Sequence, residues 1–222
     1  MSDRLINILI DSFPKIIVPG LIYTIPMTAI AFAISLIIAI ATALIQIADI
    51  KVLKNIARFY IWIIRGTPLL VQLFVVFYGL GQIGIKLSPV VAGVLTFSIN
   101  EGAYSAETMR AAFESVPKGQ MEAGECVGMS YWQIVRRIVL PQAMRTAFPP
   151  LSNSLISMMK DTSLLANITV AEMFMSAQRI VARTYEPLWI YIEVGAIYLI
   201  FSTFLTMFQR YGEKKLNTYQ YK

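Results

Sequence analysis

Residues 119–142, GQMEAGECVGMSYWQIVRRIVLPQ, form the longest polar passage of a chain that is otherwise strongly apolar. Gly128 predicts a bend, a helix is expected from about Tyr131, and Pro141 predicts the end of that helix or a kink in it. A first short helix is expected after Pro117. The passage carries too many charges to cross lipid, namely those of Glu122, Glu125, Arg136 and Arg137.

The composition around this passage indicates a membrane protein. Of the 222 residues, 57% are hydrophobic and 14% are charged, whereas soluble domains carry about a quarter charged residues. The net charge of +6 is scattered between apolar runs, which argues against a nucleic-acid-binding surface. The chain has no histidine and a single cysteine, Cys126, which excludes an internal disulfide and a multi-cysteine metal site.

The apolar runs predict an all-α membrane protein with five spans. A span needs about 20 apolar residues, and residues 16–48 form one uninterrupted run without any charged residue. We predict three parts: an interfacial amphipathic segment over residues 1–19, a transmembrane domain over 20–209 and a basic tail over 210–222. The predicted spans are Leu21–Ile45, Tyr60–Gly81, Val90–Met109, Met144–Ile168 and Leu188–Phe208.

The segments between the spans are predicted from their polarity and their turn residues. Pro19 and Gly20 are expected to end the N-terminal helix. Residues 49–58 are expected to form a polar loop, and residues 171–187 an outer loop that contains a short helix. Pro149 and Pro150 predict a helix break near a cavity, although proline is also common in ordinary spans.

The basic residues predict the orientation of the chain. The loops 49–58, 110–145 and 210–222 hold twelve lysines and arginines, whereas the opposite set of loops holds five. Because cytoplasmic loops carry the excess of positive charge, the N-terminus is expected outside the cell and the C-terminus in the cytoplasm. The polar passage is then cytoplasmic, below the cell membrane.

The polar passage also resembles a known signature. Its spacing matches E-A-A-x3-G-x9-I-x-L-P, the coupling-loop motif of ATP-binding-cassette (ABC) importer permeases, with one departure where glycine replaces the second alanine. In that family the loop, here residues 115–142, docks on a cytoplasmic ATPase. The resemblance assigns ATPase coupling to Glu122, Ala123, Gly124, Gly128, Ile138, Leu140 and Pro141. The alternative is a loop that merely connects two spans.

Longer segments resemble permeases of polar amino-acid importers. These are residues 57–80, 103–124 and 140–168. The resemblance implies the five-span, MetI-like architecture of type I importers. It also implies the partners of such a permease: a second permease subunit, identical or related, two ABC ATPases and an extracytoplasmic solute-binding protein. The segment around residues 160–174, together with RTYEPL, resembles the cystine-transporting branch, and a cationic amino acid is the other candidate.

The ionisable residues inside the spans are the candidates for function, because charge in lipid is costly. Glu101 and Asp161 are expected to line the path of the amino acid, whose ammonium group an acidic lining suits. Asp161 has the alternative of neutralising Lys160. Neutral hydrogen bonds to the solute, or between helices, are expected from Asn100, Gln72, Asn153, Ser157 and Thr162.

A second group of charges lies nearer the predicted cytoplasmic side. Glu107 and Arg110 are three residues apart and are expected to pair on one helix face, as a gate or a structural pair. Arg65 is expected to orient the break at Gly66-Thr67-Pro68 rather than to meet solute. The methionines Met158, Met159, Met173 and Met175 are expected to pack between helices rather than to bind a metal.

The chain contains no G-x-x-x-x-G-K-[ST] phosphate-binding loop. We therefore expect it to be no enzyme and to bind no cofactor, with ATP and magnesium bound by the partner ATPase. Three rival functions remain: a passive membrane channel, a membrane-bound enzyme and a membrane anchor for a cytoplasmic ATPase. The missing histidine and catalytic clusters argue against the enzyme.

Overall fold

The computed structural model describes residues 3–47 and 50–217, and within these it contains helices and no strand. The all-α prediction is confirmed for this part of the chain. Its α-helices are α1 (Asp3–Pro19), α2 (Ile25–Ile47), α3 (Lys51–Arg65), α4 (Leu69–Phe74), α5 (Leu80–Gln82), α6 (Pro89–Glu114), α7 (Lys118–Cys126), α8 (Tyr131–Ile134), α9 (Leu140–Asp161), α10 (Met173–Thr184) and α11 (Pro187–Asn217).

Within the described residues, two helices are long and apolar enough to cross a membrane, Asp3–Ile47 and Pro187–Leu216. The pair Lys51–Arg65 and Leu69–Gln82 meets the same criterion only when it is counted as one bent span. Charged residues lower the apolarity of α6, which contains the predicted third span, and of α9, which contains the predicted fourth span as far as Asp161. Five spans therefore remain a prediction.

Two predicted interruptions of helices are wrong. The chain does not leave the helix at Pro19 and Gly20, because a π-helical turn over Gly20–Thr24 joins α1 to α2. The helix also continues through Pro149 and Pro150, which both lie inside α9. Proline is tolerated within such helices where neighbouring groups or local π-helical adjustment satisfy the freed carbonyls.

The polar loop predicted over residues 49–58 is also wrong, since Lys51–Arg65 forms α3. Lys51, Lys54, Arg58 and Arg65 recur at intervals of three, four and seven residues, so they lie along one side of the helix. The number of charges in residues 49–58 suggested a loop, whereas the spacing of the basic residues indicates an amphipathic helix. Asp49 lies outside the described residues.

The break predicted at Gly66-Thr67-Pro68 is confirmed, because α3 ends at Arg65 and α4 begins at Leu69. The short helix predicted in residues 171–187 is α10, and the fifth predicted span lies within α11. That last helix continues to Asn217, so the first part of the predicted basic tail is helical. Residues 218–222 of the tail lie outside the described residues.

The chain divides into two compact units. The first comprises Met1–Ala33, Thr67–Ser98 and Leu155–Thr206, and the second Ile34–Gly66, Ile99–Ser154 and Met207–Lys222. The first unit has two apolar cores, one around Leu73, Phe97 and Leu165 and one around Ile16, Met173 and Ile197. The core of the second unit is built on small residues and one branched side chain: Ala39, Ala103, Ala106 and Ile61.

Candidate functional site

The 115–142 loop contains α7, a tight turn and α8, all within the second unit. Pro117 is extended and directly precedes α7, a position at which the missing N–H of proline costs nothing. Glu122 and Ala123 are exposed on α7, whereas Gly124 is buried. In the first half of the predicted coupling motif, Glu122 and Ala123 are thus accessible to a partner and Gly124 is not.

Gly128 ends α7 through its backbone conformation. Its φ is 77°, and its N–H donates to the carbonyl of Glu125 at 2.9 Å. The N–H of Met129 donates to the carbonyl of Gly124 at 3.0 Å, which completes a Schellman motif. A Cβ on Gly128 would meet no atom within 4 Å. The predicted bend is therefore confirmed, and glycine is favoured there by backbone conformation rather than by space.

Gly124 is required for a different reason, because α7 approaches the next helical segment there. A Cβ at this position would lie 2.8 Å from Ile134 Cγ1 and 3.3 Å from Ile138 Cδ1. Ile134 is buried in α8, and Ile138 lies in the π-helical turn Val135–Val139 that follows it. The glycine in place of alanine thus allows the two arms of the loop to pack closely.

The second arm of the loop begins as predicted and continues further than predicted. α8 starts at Tyr131, and the Ser130 N–H is bonded to the Gln133 side-chain oxygen at 2.8 Å. The helix does not end at Pro141, because the π-helical turn leads directly into α9. Leu140 and Pro141 are both exposed in the first turn of α9.

Substitution of Gly124 by leucine should open the loop. The larger side chain overlaps Ile134, and overpacking of this kind costs about 1–3 kcal/mol. We expect trypsin to cleave the purified variant after Arg136 and Arg137 roughly five to thirty times faster than the parent protein.

The matched control is Gly119→Leu on the same helix, because a Cβ at Gly119 would meet nothing within 4 Å. Adding Ile134→Ala to the Gly124→Leu variant should restore part of the protection, since it vacates the volume that leucine needs. Equal cleavage of the Gly119→Leu and Gly124→Leu variants would contradict the packing argument.

The predicted pair of Glu107 and Arg110 is present and extended by a third residue. Arg110 Nη2 lies 2.9 Å from Glu107 Oε2, and Arg110 Nε lies 3.2 Å from Glu107 Oε1. Arg110 Nη1 also bonds Glu114 Oε2 at 2.6 Å. The Arg65 guanidinium lies 5.2 Å from the centre of the Tyr104 ring. Whether the pair acts as a gate or only as a structural contact remains a prediction.

Three of the predicted path residues belong to the second unit. Glu101 is half-buried in α6, and its Oε1 accepts a 2.6 Å hydrogen bond from the Ser105 hydroxyl. The adjacent Asn100 is half-buried, and Asn153 is exposed. The Tyr60 hydroxyl donates to the Ile99 carbonyl at 2.6 Å beside this segment. Glu101 thus lies in a polar part of α6.

The other four lie in the first unit, and their surroundings differ from those predicted. Asp161 is the last residue of α9, followed by a 3-10 helix over Thr162–Ile168, so it is not in the middle of a continuous helix. Thr162 is buried, and its hydroxyl donates to the Met159 carbonyl at 2.7 Å. Ser157 is exposed. Asp161 and Ser157 are thus exposed, whereas Thr162 is buried and bonded within the chain, and their role in the solute path stays a prediction.

Gln72 is bonded to the helix break at Thr67. Its Nε2 donates to the Thr67 hydroxyl at 2.8 Å and to the Thr67 carbonyl at 3.1 Å. Both bonds stabilise the turn between α3 and α4. The methionines Met158, Met159 and Met173 are buried in the apolar cores of the first unit, as predicted from their side-chain chemistry.

Sequence analysis missed Glu172, which is fully buried in the first unit. Its carboxylate accepts hydrogen bonds from Phe174 N at 2.8 Å, Met175 N at 2.7 Å and the Tyr198 hydroxyl at 2.9 Å. Burial raises the pKa of this carboxyl above its usual range, although the three hydrogen bonds lower it. The one sequence signal was an acidic residue directly before the apolar start of α10.

Long apolar helices joined by a structured polar loop, as in the described part of this chain, are typical of a membrane permease. Residues 35–218 match the family described as binding-protein-dependent transport system inner membrane component, and the chain belongs to this family of ABC-transporter permeases. Members of the family are permease subunits and not enzymes themselves.

Individual relatives are similar over nearly the whole chain. The L-cystine transport system permease protein TcyB of Bacillus subtilis (strain 168) is 45% identical over 94% of this chain and 90% of its own length. The nopaline transport system permease protein NocM of Agrobacterium fabrum is 37% identical over 90% of this chain and 86% of its own length.

Solved structures agree with the fold. A crystal structure of an amino acid ABC transporter with histidines contains a chain of 33% identity, with a TM-score of 0.89 over 97% of this chain and 100% of that chain. The methionine transporter MetNI in an inward-facing conformation is similar at a TM-score of 0.70 and 16% identity, over 97% of this chain and 99% of that chain, and supports the fold alone. The predicted MetI-like, all-α permease architecture is confirmed.

Proposed function

We propose that this chain is the permease subunit of an ATP-driven importer of a polar amino acid, with L-cystine as the leading candidate. The relatives support the class of solute, because both a cystine permease and a nopaline permease are similar over nine-tenths of the chain. The similarity to TcyB, at 45% identity, is the observation that favours cystine most strongly. The chain forms the path and performs no covalent chemistry.

The 115–142 loop is the proposed docking element for a separate ATPase. Glu122 and Ala123 are exposed on α7, and the apolar side chains of Val127, Tyr131 and Trp132 are exposed beside them, Trp132 by 77%. Large apolar side chains exposed on a polar loop are typical of a surface that binds a partner. The Schellman motif and the Gly124 contact hold this surface rigid, which a force-transmitting element requires.

The same loop joins α6 to α9 in the chain, so a force on the loop acts directly on both helices. Closure of two ATPases around ATP and magnesium would draw the docked loops together. This movement would open the path to the outside and close it to the cytoplasm. The energy comes from the tighter binding of ATP to the closed ATPase pair. A second permease subunit, identical or related, and an extracytoplasmic solute-binding protein complete the assembly.

In this assembly we place the N-terminus outside the inner membrane and the C-terminus in the cytoplasm. The positive-inside rule supports this orientation, because α3, the 115–142 loop and the end of α11 contain most of the lysines and arginines. The orientation brings α7 and α8 to the side at which ATP is available. Cysteine labelling at the exposed Cys126 in sealed inverted vesicles tests it directly.

Transport is tested by reconstitution of the permease with its ATPase and binding protein in liposomes. We expect uptake of labelled L-cystine that requires ATP and is inhibited less by L-arginine than by unlabelled L-cystine. Uptake without ATP would instead support a passive channel. ATP hydrolysis without uptake of any amino acid would support a membrane anchor for the ATPase.

The carboxylates of Glu101, in the second unit, and Asp161, in the first, are proposed as separate acidic contacts of the amino acid along its path. A hydrogen bond to a charged group contributes about 1.5–3 kcal/mol, so Glu101→Gln and Asp161→Asn should each lower kcat/KM for uptake by roughly tenfold or more. Glu186→Gln, outside the predicted spans, is the control and should leave uptake unchanged. Unaltered uptake kinetics in both variants would remove these residues from the path.

A further inference from the structure

A cavity in the second unit, of about 420 Å³, is lined by more cations than anions. Two lining residues are acidic, Glu107 and Glu114, and both are bonded to Arg110. The remaining basic side chains on its wall are Lys54, Arg58 and Arg65. Four basic and two acidic side chains line the wall, so the cavity retains a formal excess of two positive charges.

Two groups on the wall lack an acceptor. Arg58 forms no ion pair with any described residue and is exposed on α3. Gln46 is only 8% exposed, and its Nε2 has no hydrogen-bond partner within the described part of the chain. This amide interacts with the Glu107 carboxylate only outside hydrogen-bond geometry. A buried donor without an acceptor costs free energy, which a ligand oxygen would recover.

We propose that this cavity binds a phosphate-type oxyanion, presented by the headgroup of an anionic phospholipid or as free phosphate. A phosphate oxygen offers the acceptor that Gln46 lacks and the negative charge that Arg58 lacks. The site is distinct from the proposed amino-acid path, and its occupation does not depend on transport.

The rest of α3 favours the lipid as the source. Exposed apolar side chains recur along the helix at Val52, Ile56, Phe59 and Ile63, at helical spacing. Four other positions of the helix are basic: Lys51, Lys54, Arg58 and Arg65. Acyl chains can pack on the apolar stripe while the headgroup enters the cavity, as basic pockets between cytoplasmic helix ends bind anionic headgroups.

Trp62 lies on the cavity wall and supplies the probe. In the full chain with the other two tryptophans replaced, Trp132→Phe and Trp189→Phe, the fluorescence of Trp62 is followed in a neutral detergent. Dioleoylphosphatidylglycerol, inorganic phosphate and dioleoylglycerol are each titrated. We expect a saturable change with phosphatidylglycerol and none with dioleoylglycerol, which has the same chains without the phosphate.

Three variants test whether the change in Trp62 fluorescence arises from binding in the cavity. Arg58→Gln should raise the half-saturating concentration of phosphatidylglycerol at least tenfold, and Gln46→Leu should raise it several-fold. Lys51→Gln removes an equal charge from the same side of α3, at a position that does not line the cavity, and should change the half-saturating concentration less than twofold. A response to both phosphatidylglycerol and phosphate, or to either alone, with this pattern supports the site and identifies its source.

Two results would overturn the proposal: no response to phosphatidylglycerol or phosphate, or equal weakening by Arg58→Gln and Lys51→Gln. A response to dioleoylglycerol equal to that of phosphatidylglycerol would do the same, because it would report acyl chains alone. None of these outcomes depends on amino-acid uptake, so they leave the proposed function to its own test.

Discussion

Replacement of Glu172 by alanine should strongly destabilise the folded protein. Three donors, Phe174 N, Met175 N and the Tyr198 hydroxyl, would lose their acceptor inside a buried site. Hydrogen bonds to a charged group contribute about 1.5–3 kcal/mol each and are not additive, so we expect a loss of about 3–5 kcal/mol. Thermal unfolding in detergent should occur on the order of 10 °C lower.

A graded series separates the hydrogen bonds from the charge. Glu172→Gln keeps one acceptor oxygen and should cost clearly less than Glu172→Ala, while Tyr198→Phe removes one of the three hydrogen bonds and should cost about 1.5–3 kcal/mol. The start of α10 should fray first, because Glu172 caps its two leading N–H groups. Equal unfolding temperatures for Glu172→Ala and Tyr198→Phe would show that the backbone bonds contribute nothing.

Substitution of Gly128 by valine should uncouple ATP hydrolysis from uptake while leaving the permease in the membrane. The φ of 77° is unfavourable for a β-branched residue, and the left-handed region costs an L-residue about 1–2 kcal/mol. The population of the Schellman turn relative to other conformations of the loop would then fall about five- to thirtyfold. We expect ATP-driven uptake in proteoliposomes to fall roughly five- to thirtyfold.

Two controls distinguish the backbone effect from a general effect of bulk. Gly128→Asn should retain uptake to within about twofold, because asparagine enters the left-handed region most readily after glycine. Gly119→Val places the same side chain on α7 where φ is not positive and space is open, and it should retain uptake. Normal uptake by Gly128→Val, or equal loss in the two valine variants, would refute this role of Gly128.

Sequence reasoning succeeded where structure is set by neighbouring residues. The bend at Gly128, the start of α8 at Tyr131 and the break before Leu69 follow from glycine and proline chemistry within a few positions. The prediction of a loop over residues 49–58 was wrong because it followed the number of charges rather than their helical spacing. The prediction of a helix break at Pro149 and Pro150 was wrong because α9 continues through both prolines. Both errors treat a single residue type as decisive, although hydrogen bonding over several turns determines whether a helix persists.

The sequence by itself determined that this is a membrane permease, because the apolar spans and the spacing of the 115–142 motif are properties of the chain alone. Only the tertiary structure decided which residues contact one another through hydrogen bonds and close packing. Tyr198 reaches Glu172 from 26 positions away, and Gly124 is constrained by Ile134 in the next helix. The physical reason is that hydrogen bonds and van der Waals contacts act over a few ångströms in space, whatever the separation along the chain.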